Sequence, residues 1–427
     1  MNILLTGASG FIGSHLLRRL HGEGHRIVAC VRNPKSAKRN FAAADYIACD
    51  FACDTNERDW FPRLEGIDAV INTVGIIRET RRQRFTALHH VAPAALFRAA
   101  ELCGVRKVVQ ISALGADEFA ESAYHLSKRA ADNVLSTLDL AWTILRPSIV
   151  YGTGAKSTAF FRALADLPIT PLVGQGEQPV QPIHIDDLTD VIMQCLNGET
   201  LNGRRLDLVG PAPVTMRELL QKQRSWLGGG ALRALSVPYG LSVRAAQLGG
   251  FFGSAPIDAQ TVQMLQRGNT GDVETLRTAC GFMPRSLDDA LQATPSTEAD
   301  RWHARLYFLA PALRLSIAAL WIFTAIVSAF LYPADLSYAL LAQVGIKGSG
   351  APYVLYGAAA LDFLMGLALV VRFHIGTVAM LQVLIIASYS LIISVALPEF
   401  WLHPYGPVSK NLPLIVATLI MLQLERR

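Results

Sequence analysis

Residues 5–13 read Leu-Thr-Gly-Ala-Ser-Gly-Phe-Ile-Gly, a glycine-rich turn that follows the apolar run Ile3-Leu4-Leu5. A helical pattern begins within the turn and consists of Phe11, Ile12, Leu16, Leu17 and Leu20. In the order strand, loop, helix, backbone N–H groups and the positive end of the helix dipole face a pyrophosphate, and glycine removes the Cβ atoms that would block close approach. We therefore expect this loop to bind a dinucleotide through Gly7, Ser9, Gly10, Phe11, Ile12 and Gly13.

Apolar runs and amphipathic stretches alternate after the first helix. The pattern predicts strands at residues 26–31, 46–49, 69–74, 108–112 and 142–146, and helices at 88–103 and 123–137. Strands that alternate with helices predict an α/β fold with a doubly wound parallel sheet of the Rossmann type. Such a sheet binds its ligand beyond the carboxyl ends of its strands, so the candidate site residues belong there.

The residue after the second predicted strand selects the cofactor. An acidic residue there would bind the ribose 2′-OH of NAD, but this chain has Arg32, followed by the basic residues Lys35, Lys38 and Arg39. This favours NADP(H) and leaves NAD(H) possible, because a solvated basic loop is the alternative interpretation. The other cofactor candidates are Asp50 and Phe51, which could contact the adenine, and Val74 and Gly75, which could line the cofactor floor.

Ser112, Tyr124 and Lys128 form the candidate catalytic group. A tyrosine four residues before a lysine, near the start of a helix, places both side chains on one face. The ammonium is then expected to lower the pKa of the phenol and to hold the nicotinamide ribose, so that Tyr124 acts as the acid/base. Ser112 ends a predicted strand and is expected to bind the substrate oxygen.

Five motifs resemble one superfamily in both sequence and order: TGASGFIG at 6–13, QISALGA at 110–116, YHLSK at 124–128, RPSIVYG at 146–152 and PIHIDDL at 182–188. Residues 1–295 resemble the extended and atypical short-chain dehydrogenases/reductases. The resemblance implies that Tyr124 is the acid/base, Lys128 the ribose clamp and Ser112 the carbonyl partner. His89-His90, where typical extended members have an asparagine, and the Ser-Ala-Leu-Gly-Ala stretch are similar to the group of the 39-kDa NADPH-binding subunit of respiratory complex I. Such folds can bind NADPH without turnover.

The end of the chain is unusually apolar. Charged residues make up 17% of the whole sequence, against about 25% in soluble domains, and the deficit lies between Pro311 and Leu424. Residues 312–332, 353–371 and 375–397 each approach the length of about 20 apolar residues that crosses a bilayer, and 410–424 is a shorter fourth candidate. By span count, composition and placement, residues 306–427 resemble the four-helix DoxX-like membrane module.

Basic residues predict the orientation of these spans. One side carries Arg301, Arg305, Arg314, Arg372, His374, Arg426 and Arg427, and the other carries Lys347 and Lys410. The positive-inside rule therefore predicts a multi-pass protein of the cell inner membrane with its first half in the cytoplasm. Asp362 inside the second span is either a quinone, proton or partner site or a carboxyl bonded within the bundle.

Other residue types point away from several functions. The cysteines, which lack a CxxC pair, are expected to be buried structural thiols without a metal site: Cys30, Cys49, Cys53, Cys103, Cys195 and Cys280. A net charge of +5 without a basic patch rich in aromatics does not indicate a nucleic-acid partner. A signal peptide is not expected, because the sequence enters the glycine loop at once, without a basic region and an apolar region before it. His184, within Ile-His-Ile, is expected to be a packed histidine.

These patterns predict two domains: residues 1–300, with a substrate cover at 151–300, and the membrane domain at 306–427. The first hypothesis is a membrane-anchored NADP(H)-dependent oxidoreductase acting on a carbonyl or alcohol of a lipophilic substrate. The second is an NADPH-binding scaffold or redox sensor that helps to assemble a membrane complex. A third, a sugar-nucleotide epimerase or dehydratase, fits less well, because the stretch 226–254 holds only Arg233 and Arg244 as charged residues for a pyrophosphate.

Overall fold

The structure, a computed structural model, describes residues 1–251 and 259–425. It consists of two units, Met1–Ala304 and Arg305–Arg427. Two predictions include residues outside the described residues. The orientation of the spans used Arg426 and Arg427, and the stretch 226–254 includes residues 252–254.

A parallel sheet forms the centre of the first unit. The described strands are β1 (Asn2–Thr6), β2 (Arg26–Val31), β3 (Asp45–Ala48), β4 (Ala69–Asn72), β5 (Lys107–Ile111), β6 (Ala141–Pro147), β7 (Val150–Tyr151), β8 (Thr170–Val173), β9 (Pro179–Val180), β10 (Ile183–His184), β11 (Arg204–Leu208), β12 (Val214–Thr215) and β13 (Ala234–Val237). Within that part of the chain, seven strands make one sheet in the order β11-β6-β5-β4-β1-β2-β3, with every neighbouring pair parallel. The predicted fold class is confirmed.

The predicted strands agree with the structure within one or two residues, except for β11. This edge strand was missed because it begins with the exposed Arg204 and Arg205, and charged residues are common on edges. Strands β7 to β10 precede β11 in the chain, and the cover region contains three shorter strand pairs, β10 with β7, β12 with β9 and β13 with β8.

Helices cover both faces of the sheet. The helices of the first unit are α1 (Phe11–Gly22), α2 (Pro34–Asn40), α3 (Phe61–Leu64), α4 (Ala92–Leu102), α5 (Ala123–Leu135), α6 (Lys156–Asp166), α7 (Ile185–Asn197), α8 (Met216–Trp226), α9 (Tyr239–Phe251), α10 (Ala259–Arg267), α11 (Val273–Cys280) and α12 (Leu287–Ala293). Because strand side chains alternate, Ile3 and Leu5 of β1 pack in the core with α1 and α7, and Leu4 packs in the core with α4 and α5. A π-helical turn, Thr86–Val91, leads into α4.

The second unit is helical. Its helices are α13 (Glu298–Ile326, which begins in the first unit), α14 (Ala334–Gln343), α15 (Gly350–Val370), α16 (Ile375–Ala396) and α17 (Asn411–Glu425). Among the described residues, Glu298–Leu331, Gly350–Val370 and Ile375–Ala396 are long and apolar enough to cross a membrane. The first of these helices begins at Glu298, before the predicted span 312–332, and it contains Pro311. Helix α17 is apolar but shorter than these three helices, so the fourth membrane span stays a prediction.

The cysteines correct one expectation. Cys30, Cys49 and Cys195 are buried and Cys280 is half-buried, but Cys53 and Cys103 are exposed. Both exposed thiols follow regular elements, Cys53 in the turn after β3 and Cys103 at the end of α4, where the chain reaches the surface. The residue type alone does not distinguish these two exposed cysteines from the buried ones.

Candidate functional site

The glycine loop joins β1 to α1. Gly7 has a φ of +71°, in the left-handed region that favours glycine, and a Cβ there would lie 2.7 Å from Thr73 Oγ1. A Cβ on Gly13 would lie 2.2 Å from the Gly7 carbonyl oxygen. Gly10 precedes α1 without a side-chain cap, so the first N–H groups of the helix remain available to an anion.

The remaining loop candidates differ in exposure. Ser9 is exposed, whereas Phe11 and Ile12 are half-buried and pack partly against the first core. The Phe11 ring also faces the cover region, since a Cβ on Gly152 would lie 3.6 Å from Phe11 Cζ. Their side chains therefore hold the loop in place, and a pyrophosphate would meet their backbone.

Arg32 is exposed at the carboxyl edge of the sheet. It follows β2, in which Cys30 is the register partner of Thr6 at the end of β1. Asn33, the next residue, caps α2 by accepting a hydrogen bond from Ser36 N at 3.1 Å. The guanidinium therefore belongs to the same edge as the glycine loop.

Asp50 and Phe51 follow β3 with different surroundings. Asp50 Oδ1 accepts a hydrogen bond from Ala52 N at 3.0 Å. The Phe51 ring is buried and meets the Trp60 ring edge-on, with centroids 5.3 Å apart. The Phe51 side chain is thus a core residue, and an adenine could meet only its backbone.

Buried polar side chains join the ends of three central strands. Thr6 Oγ1 donates to Asn72 Oδ1 at 2.6 Å, and Asn72 Nδ2 donates to Gln110 Oε1 at 2.7 Å. Asn72 Oδ1 also accepts from Val74 N at 3.2 Å. This network fixes the loop of Val74 and Gly75 beside the glycine loop.

Tyr124 and Lys128 lie on α5 next to that loop. Lys128 Nζ donates to the carbonyls of Val74 and Ile111 at 3.1 and 3.0 Å, and a Cβ on Gly75 would lie 3.2 Å from Nζ. Burial lowers the pKa of Lys128 to about 8, although the charge of Asp132 opposes the change. The structure thus brings Lys128 together with Val74 and Gly75 at the carboxyl edge.

The expected lowering of the Tyr124 pKa is not present. Burial, with a further contribution from the negative charge of Asp132, raises the pKa of Tyr124 to about 12. Lys128 is occupied by two carbonyl groups, and the phenol ring is surrounded by Phe85, His89 and His125. At neutral pH the phenol is therefore protonated and suited to donate a proton.

Ser112 is buried and donates a hydrogen bond to the carboxylate of Asp132, four residues beyond Lys128 on α5. Asp132 is buried, and burial raises the pKa of its carboxyl group to about 6 against the Ser112 hydrogen bond and the Lys128 charge. Asp132 Oδ1 has no hydrogen-bond partner among the described residues. Ser112 was expected to bind a substrate oxygen, but its proton is directed to Asp132.

His89 connects the two sides of the site. Its Nε2 accepts a hydrogen bond from Ile76 N at 3.0 Å, which leaves the proton on Nδ1 to be donated to Ser127 Oγ at 3.0 Å. Ser127 Oγ donates to the Tyr124 carbonyl at 2.7 Å. Burial, together with the Lys128 charge, lowers the pKa of His89 to about 2, so the ring is neutral.

Comparisons with known proteins agree with this geometry. Residues 7–198 match the model of the NAD(P)H-binding family, and residues 318–419 match that of the DoxX-like family. The chain thus contains an NAD(P)H-binding region with a Rossmann-type sheet and, further along, a DoxX-like region. The NAD(P)-binding domain has a fold typical of oxidoreductase-type enzymes. The DoxX-like domain and its three apolar helices indicate membrane association.

Two curated relatives cover part of the chain. A mitochondrial NADH dehydrogenase (ubiquinone) 1 alpha subcomplex subunit 9 of Arabidopsis thaliana is 28% identical over 50% of this chain and 55% of its own length. A ceramide reductase of Caulobacter vibrioides is 29% identical over 43% of this chain and 57% of its own length. The chain thus spans little more than half the length of these relatives.

Solved structures show the same fold for the NAD(P)-binding domain. MoeE5 in complex with UDP-glucuronic acid and NAD is 22% identical, with a TM-score of 0.54 over 68% of this chain and 97% of that chain. A nucleoside-diphosphate-sugar epimerase from Staphylococcus aureus is 19% identical, with a TM-score of 0.55 over 68% of this chain and 100% of that chain.

Sequence reasoning did not assign roles to several residues of the site. Asp132 follows Lys128 by one helical turn, a spacing that could have placed it on the same face. His89 was noted for its residue type without a role. Asn72 and Gln110 lie within the predicted strands 69–74 and 108–112, where a polar side chain in an apolar run is the available signal. The other notable histidine, His184, packs against Tyr151 and accepts from Asp186 N, which confirms the interpretation of a packed residue.

Proposed function

We propose that the protein is a membrane-anchored, NADP(H)-dependent oxidoreductase that acts on a carbonyl or alcohol group of a lipophilic substrate. The observation that carries the proposal is the grouping of Tyr124, Lys128 and Gly75 at the carboxyl edge of an NAD(P)-binding sheet. Similarity to a ceramide reductase supports a lipid-like substrate, and Arg32 supports the phosphorylated cofactor.

Tyr124 and Lys128 have different roles in the proposed reaction. A bound nicotinamide would supply the hydride to the carbonyl carbon, leaving the oxidised cofactor. Tyr124 transfers its phenolic proton to the carbonyl oxygen, so that an alcohol forms, and the reverse steps oxidise the alcohol. Lys128, held by the carbonyls of Val74 and Ile111, orients the ribose. A phenol with a raised pKa stays protonated at neutral pH, so Tyr124 is in the protonation state that ketone reduction requires.

The proposed location is the cell inner membrane, with the first unit in the cytoplasm and the lipid bilayer around the apolar helices. Support comes from the basic residues beside the spans, including Arg305 and Arg372. A lipophilic substrate would reach such a protein from the bilayer.

The reaction is tested with purified full-length protein, NADPH and a series of long-chain ketones. Tyr124→Phe is expected to reduce kcat by about 100-fold or more, because a general acid contributes about 10²–10⁴-fold. Tyr46→Phe, which removes a phenol bonded to Phe41 O beside the edge strand β3, is the matched control and is expected to leave the rate unchanged. Equal rates for Tyr124→Phe and the wild type would remove Tyr124 from the mechanism.

One observation favours a second candidate, an NADPH-binding scaffold or redox sensor for a membrane complex. The Ser112 proton is directed to Asp132 instead of a substrate, and one relative is a subunit of NADH dehydrogenase. Tight NADPH binding without reduction of any ketone in the series would support the scaffold. The sugar-nucleotide epimerase remains a weaker alternative, since the solved structures of that class share the fold at under 25% identity.

A further inference from the structure

Three buried side chains on three helices of the second unit have polar atoms without a hydrogen-bond partner among the described residues. They are Trp321 on α13, Asp362 on α15 and Gln382 on α16, and the atoms are Nε1, Oδ1 and both amide atoms, respectively. Their exposed fractions are 7%, 8% and 0%. Buried polar groups without partners destabilise a fold, so three within one helical unit call for a functional reason.

Trp321 and Asp362 lie at the same level of the bundle. Arg314 Nη1 donates to the Leu369 carbonyl at 2.5 Å, and a Cβ on Gly366 would lie 2.9 Å from the Ala318 carbonyl oxygen, so α13 and α15 are antiparallel. Trp321 follows Arg314, and Asp362 precedes Leu369, by the same number of residues. At a rise of 1.5 Å per residue, both lie about 10 Å from the level of Arg314.

Gln382 reaches nearly the same level. Glu425 pairs with Arg314 at 3.1 Å, and a Cβ on Gly376 would lie 3.9 Å from Leu422 Cδ1, one turn before Glu425. Asn411 donates to Ser390 at 2.9 Å, so α16 and α17 are antiparallel. Counting along both helices places Gln382 about 13 Å from the level of Arg314 and Glu425.

We call Trp321, Asp362 and Gln382 the buried polar layer. Arg314, Glu425 and Arg372 form a charged group at one end of the bundle, with Arg372 and Glu425 2.7 Å apart. Such a charged group belongs at a membrane surface, and the hydrocarbon core is about 30 Å thick. The buried polar layer therefore lies near the middle of the bilayer.

We propose that the buried polar layer binds the keto or hydroxyl group of a lipophilic molecule. The Trp321 indole and the Gln382 amide donate to a ligand oxygen, and the Gln382 carbonyl and Asp362 accept from a hydroxyl. Apolar residues of the same helices, including Met365, Ala379 and Ile386, surround the layer, so the rest of the ligand must be apolar. This site lies in the DoxX-like domain and is separate from the Tyr124 chemistry.

The test uses full-length protein in detergent, without NADPH, and three photoreactive probes. These are a long-chain methyl ketone with a diazirine in its chain, the matching secondary alcohol and the matching hydrocarbon, and labelled peptides are identified by mass spectrometry. The ketone and the alcohol are expected to label α13, α15 and α16, and the hydrocarbon is not. The ratio of ketone to alcohol labelling tells which oxygen group is preferred.

Two variants separate binding from structure. Gln382→Leu and Trp321→Phe are expected to decrease ketone labelling about tenfold, since each removes buried hydrogen bonds to the ligand. Their thermal midpoints are expected to stay equal or rise, because buried atoms without partners are removed. Leu384→Ala, on the same helix but 62% exposed, is the control and should label as the wild type does.

Four results would overturn the inference. Equal labelling by the hydrocarbon would mean that the oxygen is not recognised. Unchanged labelling in both variants would mean that the buried polar layer does not bind the probe. Lower thermal midpoints in both variants would mean that the layer stabilises the fold. Complete competition by a diacyl phospholipid would assign the layer to bulk lipid. Each result is independent of NADPH and so of the proposed oxidoreductase activity.

Discussion

The hydroxyl of Ser112, directly after β5, donates a hydrogen bond to the carboxylate of Asp132 on α5, and both side chains are buried. The charge of Asp132 contributes to the raised pKa of Tyr124 and opposes the lowering of the Lys128 pKa. Asp132, which was not among the residues predicted for the site, thus affects the pKa of both Tyr124 and Lys128.

Asp132→Asn is expected to move the basic limb of the pH–rate profile for ketone reduction to lower pH by about 1 pH unit. Without the negative charge, the pKa of Tyr124 falls from about 12 and that of Lys128 falls from about 8, so both lose their protons at lower pH. Asp139→Asn, an exposed position after the same helix, is the control. A basic limb that stays in place or moves to higher pH contradicts the role of Asp132.

Arg32→Asp is expected to weaken NADPH binding by about 2 kcal/mol or more, because a bidentate partner of the 2′-phosphate is replaced by a repelling charge. NADH binding should change less. Titration of both cofactors measures the preference, and Arg18→Asp, an exposed charge reversal in the second half of α1, is the control. Wild-type protein that binds NADH as tightly as NADPH would show that Arg32 does not select the cofactor.

Local sequence patterns predicted the elements that form from residues close together along the chain. The alternation of apolar strands and helices was sufficient for the central sheet, and the glycines at 7, 10 and 13 for the loop. The edge strand β11 was not found because it begins with the exposed Arg204 and Arg205, which interrupt the apolar pattern. Spacing placed Tyr124 and Lys128 on one helix.

The environment of the catalytic pair could not be read from spacing. The two carbonyls that occupy Lys128 come from the loop after β4 and the end of β5. The pKa of Tyr124 depends on burial by side chains from other segments, and Asp132 became visible only as the partner of Ser112. Tertiary contacts decide the protonation states, and sequence patterns report neighbours on a single element.

His89→Gln is expected to make the first unit, Met1–Ala304, less sensitive to acid. The folded-state pKa of His89 is about 2, below its ordinary value of 6.5, so only the unfolded chain gains a proton as the pH falls below 6.5. Wild-type stability should therefore fall by up to about 1.4 kcal/mol for this histidine over each pH unit below 6.5.

Urea unfolding at pH 7.5 and about 5.5 measures this difference. Glutamine keeps an acceptor for Ile76 N–H without titrating, and His90→Gln is the neighbouring control. The fragment ends at Ala304 to keep the ion pair of Arg162 with Asp300. An equal loss of stability in His89→Gln and the wild type would mean that His89 does not titrate as described.

Reporter fusions test the topology. With four spans, a reporter near Lys347 is expected outside the cytoplasm and one after Arg427 inside it. A fusion at Ala304, before the apolar part of α13, is the control and should report the cytoplasm. The same side for Lys347 and Arg427 would mean that α17 does not cross the membrane.

Deuterium transfer tests the central claim most directly. Full-length protein is supplied with NADPH that carries deuterium on the transferred position of nicotinamide C4, together with a long-chain ketone, and the alcohol is analysed by mass spectrometry. We predict one deuterium on the carbinol carbon with wild-type protein, and about 100-fold less product with Tyr124→Phe. Bound NADPH with no deuterated alcohol from any ketone would contradict the account and favour the scaffold.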